Sequence, residues 1–135
     1  MLDTNTCIQY LNGRSVAIRD RLAATVPAEV ALCSVVKAEL LYGALPTKNP
    51  ERTTAALRGF LAAFSSLPFD DRCAEACARI RADLAVQGTP IGSNDLLIAS
   101  IAVANSMVLV THNTREFGRI ESLRLEDWEV GTGHS

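Results

Sequence analysis

Met1-Leu2-Asp3-Thr4-Asn5-Thr6-Cys7-Ile8 reads as a very short apolar strand that breaks into a polar turn and then a helix. Asp3, Thr4, Asn5 and Thr6 all have side chains suited to accept from the free N–H groups of a first helical turn. Behind them Cys7, Ile8, Tyr10 and Leu11 keep helical spacing as far as Asn12-Gly13. Strand, tight turn and helix recur downstream. Val30-Ala31-Leu32-Cys33 and Met107-Val108-Leu109-Val110 are continuous apolar runs, the pattern of strands buried on both faces of a parallel sheet.

Helical patterns fill the space between. Arg14 to Ala24 ends at Val26-Pro27, and Ser34 is placed to cap a helix that closes at Gly43 with Pro46 beyond it. Glu51 to Ser65 and Asp70 to Gln87 read as longer amphipathic helices, and an apolar helix headed by Asp95 runs to Ala104. Alternation of strands and helices predicts an α/β layered domain with a mostly parallel sheet. One domain is expected over residues 1–130, with a frayed tail over 131–135.

Composition narrows the class. The chain has 135 residues, enough for one core, and with 48% hydrophobic but only 5% aromatic residues that core must be aliphatic. No signal-peptide pattern or bilayer-length apolar run is present, so a cytoplasmic protein without membrane contact is expected. Cys7, Cys33, Cys73 and Cys77 lack C-x-x-C spacing and are expected to be reduced, core-facing thiols. A net charge of −2 argues against bulk electrostatic attraction to nucleic acid, leaving only local contacts.

Against that background, three carboxylates stand in apolar settings. Asp3 ends the first strand, Glu39 interrupts Val35-Val36-Lys37-Ala38-Glu39-Leu40-Leu41-Tyr42, and Asp95 heads the most apolar helix. Asp3 belongs at the carboxyl edge of the sheet, where open α/β folds collect ligands, and Thr111 lies just past another strand end. Glu116, in Thr111-His112-Asn113-Thr114-Arg115-Glu116-Phe117, is the fourth acid on the same rim. Like charges about 4 Å apart repel by roughly 4 kcal/mol at an effective dielectric near 20, so such a group needs a counter-ion. An all-oxygen donor set points to Mg²⁺ or Mn²⁺. Thr111 and Asn113 could hold waters or neighbouring carboxylates. Taken singly, each acid also has an ordinary reading: Asp3 a helix cap, Asp95 a partner for the helix dipole, Glu39 and Glu116 solvated charges. His112 reads first as structural.

At these residues the chain resembles the PIN-domain ribonucleases, and within them the VapC toxins of toxin–antitoxin pairs. The resemblance rests on Leu2-Asp3-Thr4-Asn5, Val36-Lys37-Ala38-Glu39-Leu40-Leu41-Tyr42-Gly43, Pro90-Ile91-Gly92-Ser93-Asn94-Asp95-Leu96-Leu97-Ile98-Ala99 and Leu109 to Phe117, in that order. It implies a three-layer α/β/α PIN-like domain and cleavage of structured RNA, tRNA or rRNA, at an acidic pocket binding Mg²⁺ or Mn²⁺. It carries Asp3, Glu39 and Asp95 over as metal ligands and Glu116 as a further catalytic acid, with Thr4, Asn5, Thr111 and Asn113 positioning them. Many relatives have Asp where this chain has Asn113, so the fourth acid is either displaced to Glu116 or missing. Where relatives often have Pro this chain has Ser93, a change expected to improve helix capping. The resemblance further implies a VapB-like antitoxin as partner, a homodimer that becomes a hetero-oligomer with the antitoxin, and operator DNA reached only through the antitoxin. Arg115, Arg119, Lys48 and Arg52 are candidate RNA contacts. The alternative is a degenerate PIN domain that binds RNA or antitoxin without turnover. A haloacid-dehalogenase-type phosphatase is disfavoured because its second Asp would fall at Asn5.

Overall fold

Leu2 occupies the middle of the sheet, and the computed structural model, which describes residues 1–130, shows how little strand is needed to hold it there. The Leu2 N–H donates to the Ala31 carbonyl at 3.1 Å, the Asp3 N–H to Val110 at 3.0 Å, and the Val110 N–H to Met1 at 2.8 Å. The first residues therefore run between β1 (Ala31–Cys33) and β3 (Leu109–Val110). Outside them lie β2 (Ser65–Leu67), paired with β1, and β4 (Leu125–Glu126), paired with β3. The order is β2, β1, Leu2, β3, β4, and the β1–β2, Leu2–Val110 and β3–β4 pairings are all parallel. Each strand is only two or three residues long, so helices make up most of the domain.

Among the described residues seven α-helices connect these strands: α1 (Thr4–Leu11), α2 (Val16–Ala23), α3 (Ser34–Ala44), α4 (Pro50–Leu61), α5 (Asp71–Gln87), α6 (Ser93–Ala104) and α7 (Thr114–Phe117). Their starts follow from capping chemistry. Asp3, Ser15, Asn49 and Asp70 each accept from an N–H in the first turn of α1, α2, α4 and α5. At the other end of α5, Gly88 takes a left-handed conformation, φ 70°, that a Cβ would disfavour. Helix α6 is apolar around its circumference, and Ile98 to Ala102 are all buried. Those residues meet Leu2, Leu32, Val36, Leu109, Val110 and Phe117 in one aliphatic core. Tyr10, Phe60 and Phe64 make a small aromatic chain, with ring centroids 5.4 and 5.3 Å apart, that ties α1 to α4.

Three expectations are corrected. The helix predicted from Glu51 to Ser65 stops at Leu61, and Ser65 to Leu67 form an edge strand. Ser65 and Ser66 are exposed, and an edge strand with one wet side leaves no apolar run to read. The same reason hid β4. Ser34 does not cap α3: Cys33 occupies that position without a side-chain bond, and the Ser34 hydroxyl donates to the Leu67 carbonyl at 3.4 Å. Ser93 likewise opens α6 as a helical residue, with Gly92 at the cap, so it adds no capping bond.

The cysteines are free thiols, with Cys7, Cys33 and Cys73 buried. Burial pushes the Cys7 and Cys33 thiols up, which keeps them protonated and unreactive. No described helix is long and apolar enough to cross a membrane. The tail expected to fray, residues 131–135, lies outside the described residues.

Candidate active site

The carboxyl edge of the sheet gathers the four acids from four different elements. Asp3 follows Leu2 directly and is 6% exposed. Its Oδ1 accepts from the Thr6 N–H at 2.8 Å, so it caps α1, while Oδ2 takes no hydrogen bond among the described residues. The helix-cap reading is therefore true, and it leaves one oxygen for another partner.

Glu39, on α3, is clamped from two sides. Its Oε1 accepts from the Thr4 hydroxyl at 2.6 Å and its Oε2 from the Asn94 amide at 3.3 Å. One carboxylate thus joins the starts of α1 and α6 to α3. Asp95 stands in the first turn of α6, beside Asn94. Glu116, on α7, is also held at both oxygens: Oε1 accepts from the Gly92 N–H at 3.2 Å and Oε2 from the Asn113 amide at 3.0 Å.

The electrostatics show which groups face one another. Burial, followed by the charges of Glu116, Glu39 and Asp3, pushes the Asp95 carboxyl above its ordinary pKa. Glu116 moves the other way, because the Asn113 amide and the Gly92 N–H stabilise its anion. None of the four forms a salt bridge among the described residues. Nor do any three of them bring carboxylate oxygens within 4.8 Å of one another in the described residues. The all-oxygen donors fit a small hard cation such as Mg²⁺, which is commonly held by one or two carboxylates and keeps several waters.

Over residues 1–123 the sequence matches the PIN domain family. The chain is a PIN domain. It groups with the VapC ribonucleases: it is 40% identical to a protein of Shigella flexneri named tRNA(fMet)-specific endonuclease VapC, over 95% of this chain and 96% of the relative. Ribonuclease VapC2 of Rickettsia felis is 38% identical, over 96% and 97%. In structure the chain resembles one in the DNA-bound VapBC crystal structure from Salmonella typhimurium, with a TM-score of 0.88 and 41% identity over 95% of this chain and 96% of that one.

Within this PIN domain, Asn113 caps α7 by accepting from the Glu116 N–H at 3.4 Å and donates its amide to the Glu116 carboxylate. Both ends of Asn113 are thus spent on Glu116. Thr111 is fully buried, and its hydroxyl accepts from the Asn113 N–H at 3.0 Å. Thr4 contacts Glu39, whereas Asn5 is exposed and makes no side-chain bond to the acids among the described residues. Of the proposed RNA cations, Arg52 lines a groove that also reaches Glu39, exposed Arg115 adjoins Glu116, and Arg119 donates to the Pro90 carbonyl at 3.4 Å. Lys48 sits in the exposed turn between α3 and α4. Sequence reasoning missed Asn94 and the Gly92 N–H, although both lie beside Asp95 in Gly92-Ser93-Asn94-Asp95.

The groove is the other large feature. A cleft of about 580 Å³ runs between α1, α3 and α4, from Ile8 and Leu11 past Glu39, Leu40 and Ala44 to Ala56 and Leu57.

Proposed function

We propose that this PIN domain is a divalent-metal-dependent endoribonuclease of the VapC type, held inactive in the cytoplasm by a VapB-type antitoxin. The observation that carries the reading is the convergence of Asp3, Glu39, Asp95 and Glu116 on one sheet edge, where burial and then the charges of the other three raise the pKa of Asp95. Asp3, Glu39 and Asp95 would hold the ion, Mg²⁺ or Mn²⁺, one or two of them directly and the rest through its waters. When bound, such an ion lowers the pKa of a coordinated water and polarises a phosphodiester oxygen. Thr4 and Asn94 fix the direction of Glu39, and Asn113 with the Gly92 N–H fixes Glu116. Held ionised, Glu116 can orient a water at the edge of the centre, and nearby Arg115, Arg119 and Arg52 can meet backbone phosphates.

The relative named for tRNA(fMet) makes initiator tRNA the first substrate to test, ahead of rRNA. The deciding experiment incubates antitoxin-free protein with total RNA and with tRNA(fMet), in Mg²⁺, Mn²⁺ or EDTA. Discrete metal-dependent cuts support the reading, and intact RNA under all three conditions overturns it. Replacing Glu116 by Gln removes the charge and leaves a single acceptor oxygen for the two donors, the Gly92 N–H and the Asn113 amide, and should lower the cleavage rate about tenfold or more. Asn113→Ala loses a helix cap worth about 1 kcal/mol and frees the Glu116 side chain, so it should cost less activity than Glu116→Gln. The reverse order would return the fourth position to Asn113.

The antitoxin reading uses the cleft. An apolar helix or strand of the antitoxin seated between α1, α3 and α4 can deliver a basic side chain to the acids at the end that includes Glu39. Ala56 is exposed on the wall of this cleft. Ala56→Trp should fill it, leaving RNA cleavage intact while weakening neutralisation by antitoxin at least tenfold in a titration. Unchanged neutralisation would place the antitoxin elsewhere. Assembly as a homodimer that binds operator DNA through the antitoxin, and a single domain over residues 1–130, belong to the same proposal.

A further inference from the structure

His112 leaves β3 at the turn into α7, and the segment after β4 brings Asp127 and Glu129 against it. The His112 Nδ1 lies 2.9 Å from Asp127 Oδ2 and 3.7 Å from Glu129 Oε2. One ligand atom from each of the three residues falls within 4.8 Å of the others. Asp127 is fixed through its other oxygen, which accepts from the Glu129 N–H at 3.0 Å. Glu129 Oε2 is sealed from solvent yet has no hydrogen-bond partner among the described residues. A sealed carboxylate oxygen with no donor is costly unless a cation faces it. The segment itself is firmly seated, since the intervening Trp128 is buried, donates Nε1–H to Glu126 at 2.9 Å and packs under Arg21 at 5.3 Å.

We infer that His112, Asp127 and Glu129 form a second cation site, separate from the acidic centre and suited to a transition-series divalent ion such as Zn²⁺. One imidazole nitrogen with two carboxylates selects zinc-like ions over Mg²⁺. Zinc with ligands 2.0–2.1 Å away sets neighbouring donors about 3.3 Å apart in a tetrahedron, and the observed 2.9 and 3.7 Å bracket that spacing. The side chain of His112 is 57% exposed, which gives the ion a way in. Three protein ligands leave a fourth position to water. An ion here would fasten the turn that carries Asn113 and Glu116 to the end of the domain.

The test is thermal unfolding of the metal-free full chain with and without Zn²⁺. A rise of about 5 °C is expected at saturating ion. It should vanish in His112→Ala and in Glu129→Gln and persist in Asp95→Asn. X-ray absorption of the zinc-loaded wild-type protein, which needs no variant to fold, should show a nitrogen and oxygen shell. No rise in the wild type, a rise that survives His112→Ala, or a sulfur shell would each overturn the site. Failure of the nuclease reading leaves these outcomes unaffected.

Discussion

Asp95→Asn is expected to lose metal-dependent RNA cleavage by roughly 100-fold or more, and at the same time to melt higher than the wild type in EDTA. The two effects have one cause. Asp95 is desolvated and faces three other carboxylates, so its folded-state pKa is raised and its ionised form is disfavoured in the fold. For an acid shifted this way, stability is lost as pH rises through the folded pKa. Asn removes that penalty at neutral pH, and the metal-free variant should gain about 2–4 °C. The gap should narrow at pH 4, where a carboxyl held above its ordinary pKa is already substantially protonated. Asp3→Ala supplies the contrast: it should lose cleavage equally but melt lower, because it also deletes the cap on α1, worth about 1 kcal/mol. Calorimetry in EDTA at pH 4 and 8, beside cleavage assays in Mg²⁺, reads both. Wild-type cleavage by Asp95→Asn would remove it from the site, and a lower melting point at pH 8 would refute the repulsion.

Phe117→Ala should be the most destabilising single change near the site. Phe117 is 1% exposed and among the largest fully buried side chains. Truncating a core phenylalanine costs about 3–5 kcal/mol, against a total stability of about 5–15 kcal/mol for an ordinary domain. It also ends α7, a helix of 4 residues that is too short to hold itself by backbone bonds. Glu116 is thus positioned by the burial of its neighbour. Cleavage should fall even at 20 °C, where most molecules remain folded, and Phe117→Leu should recover most of both properties. Urea unfolding together with cleavage at that temperature checks this. A loss under 1 kcal/mol would show that α7 is anchored by something else.

How far the sequence could be read depended on which side of the sheet a residue faces. The apolar runs before Ser34 and Thr111 are central strands, buried on both faces, and their signal is plain. Ser65-Ser66-Leu67 and Leu125-Glu126 pair on one side only, so their side chains carry no strand pattern and the ladder alone defines them. The acids stood out because Asp3, Glu39 and Asp95 break apolar surroundings. Their clamps did not, because an Asn such as Asn94 or a backbone N–H such as that of Gly92 looks like turn chemistry until the fold aims it. The choice between Asn113 and Glu116 turns into a partnership once α7 is seen, since the first holds the second. His112 lies against Asp127, and its partners come from a segment with no pattern to announce them.

The place of Leu2 in the sheet also orders events during synthesis. The Met1 amino group bonds to the Val108 carbonyl across 107 positions of sequence, so the strand made first waits for a neighbour made near the end. A nascent chain already carries Asp3 and Glu39 long before Leu109 and Val110 exist, but has nothing to hold the first of them in register. Translation interrupted anywhere before β3 yields a fragment with at most three of the four acids and nothing to gather them. The acidic edge is therefore assembled only in chains that have passed β3 and Glu116.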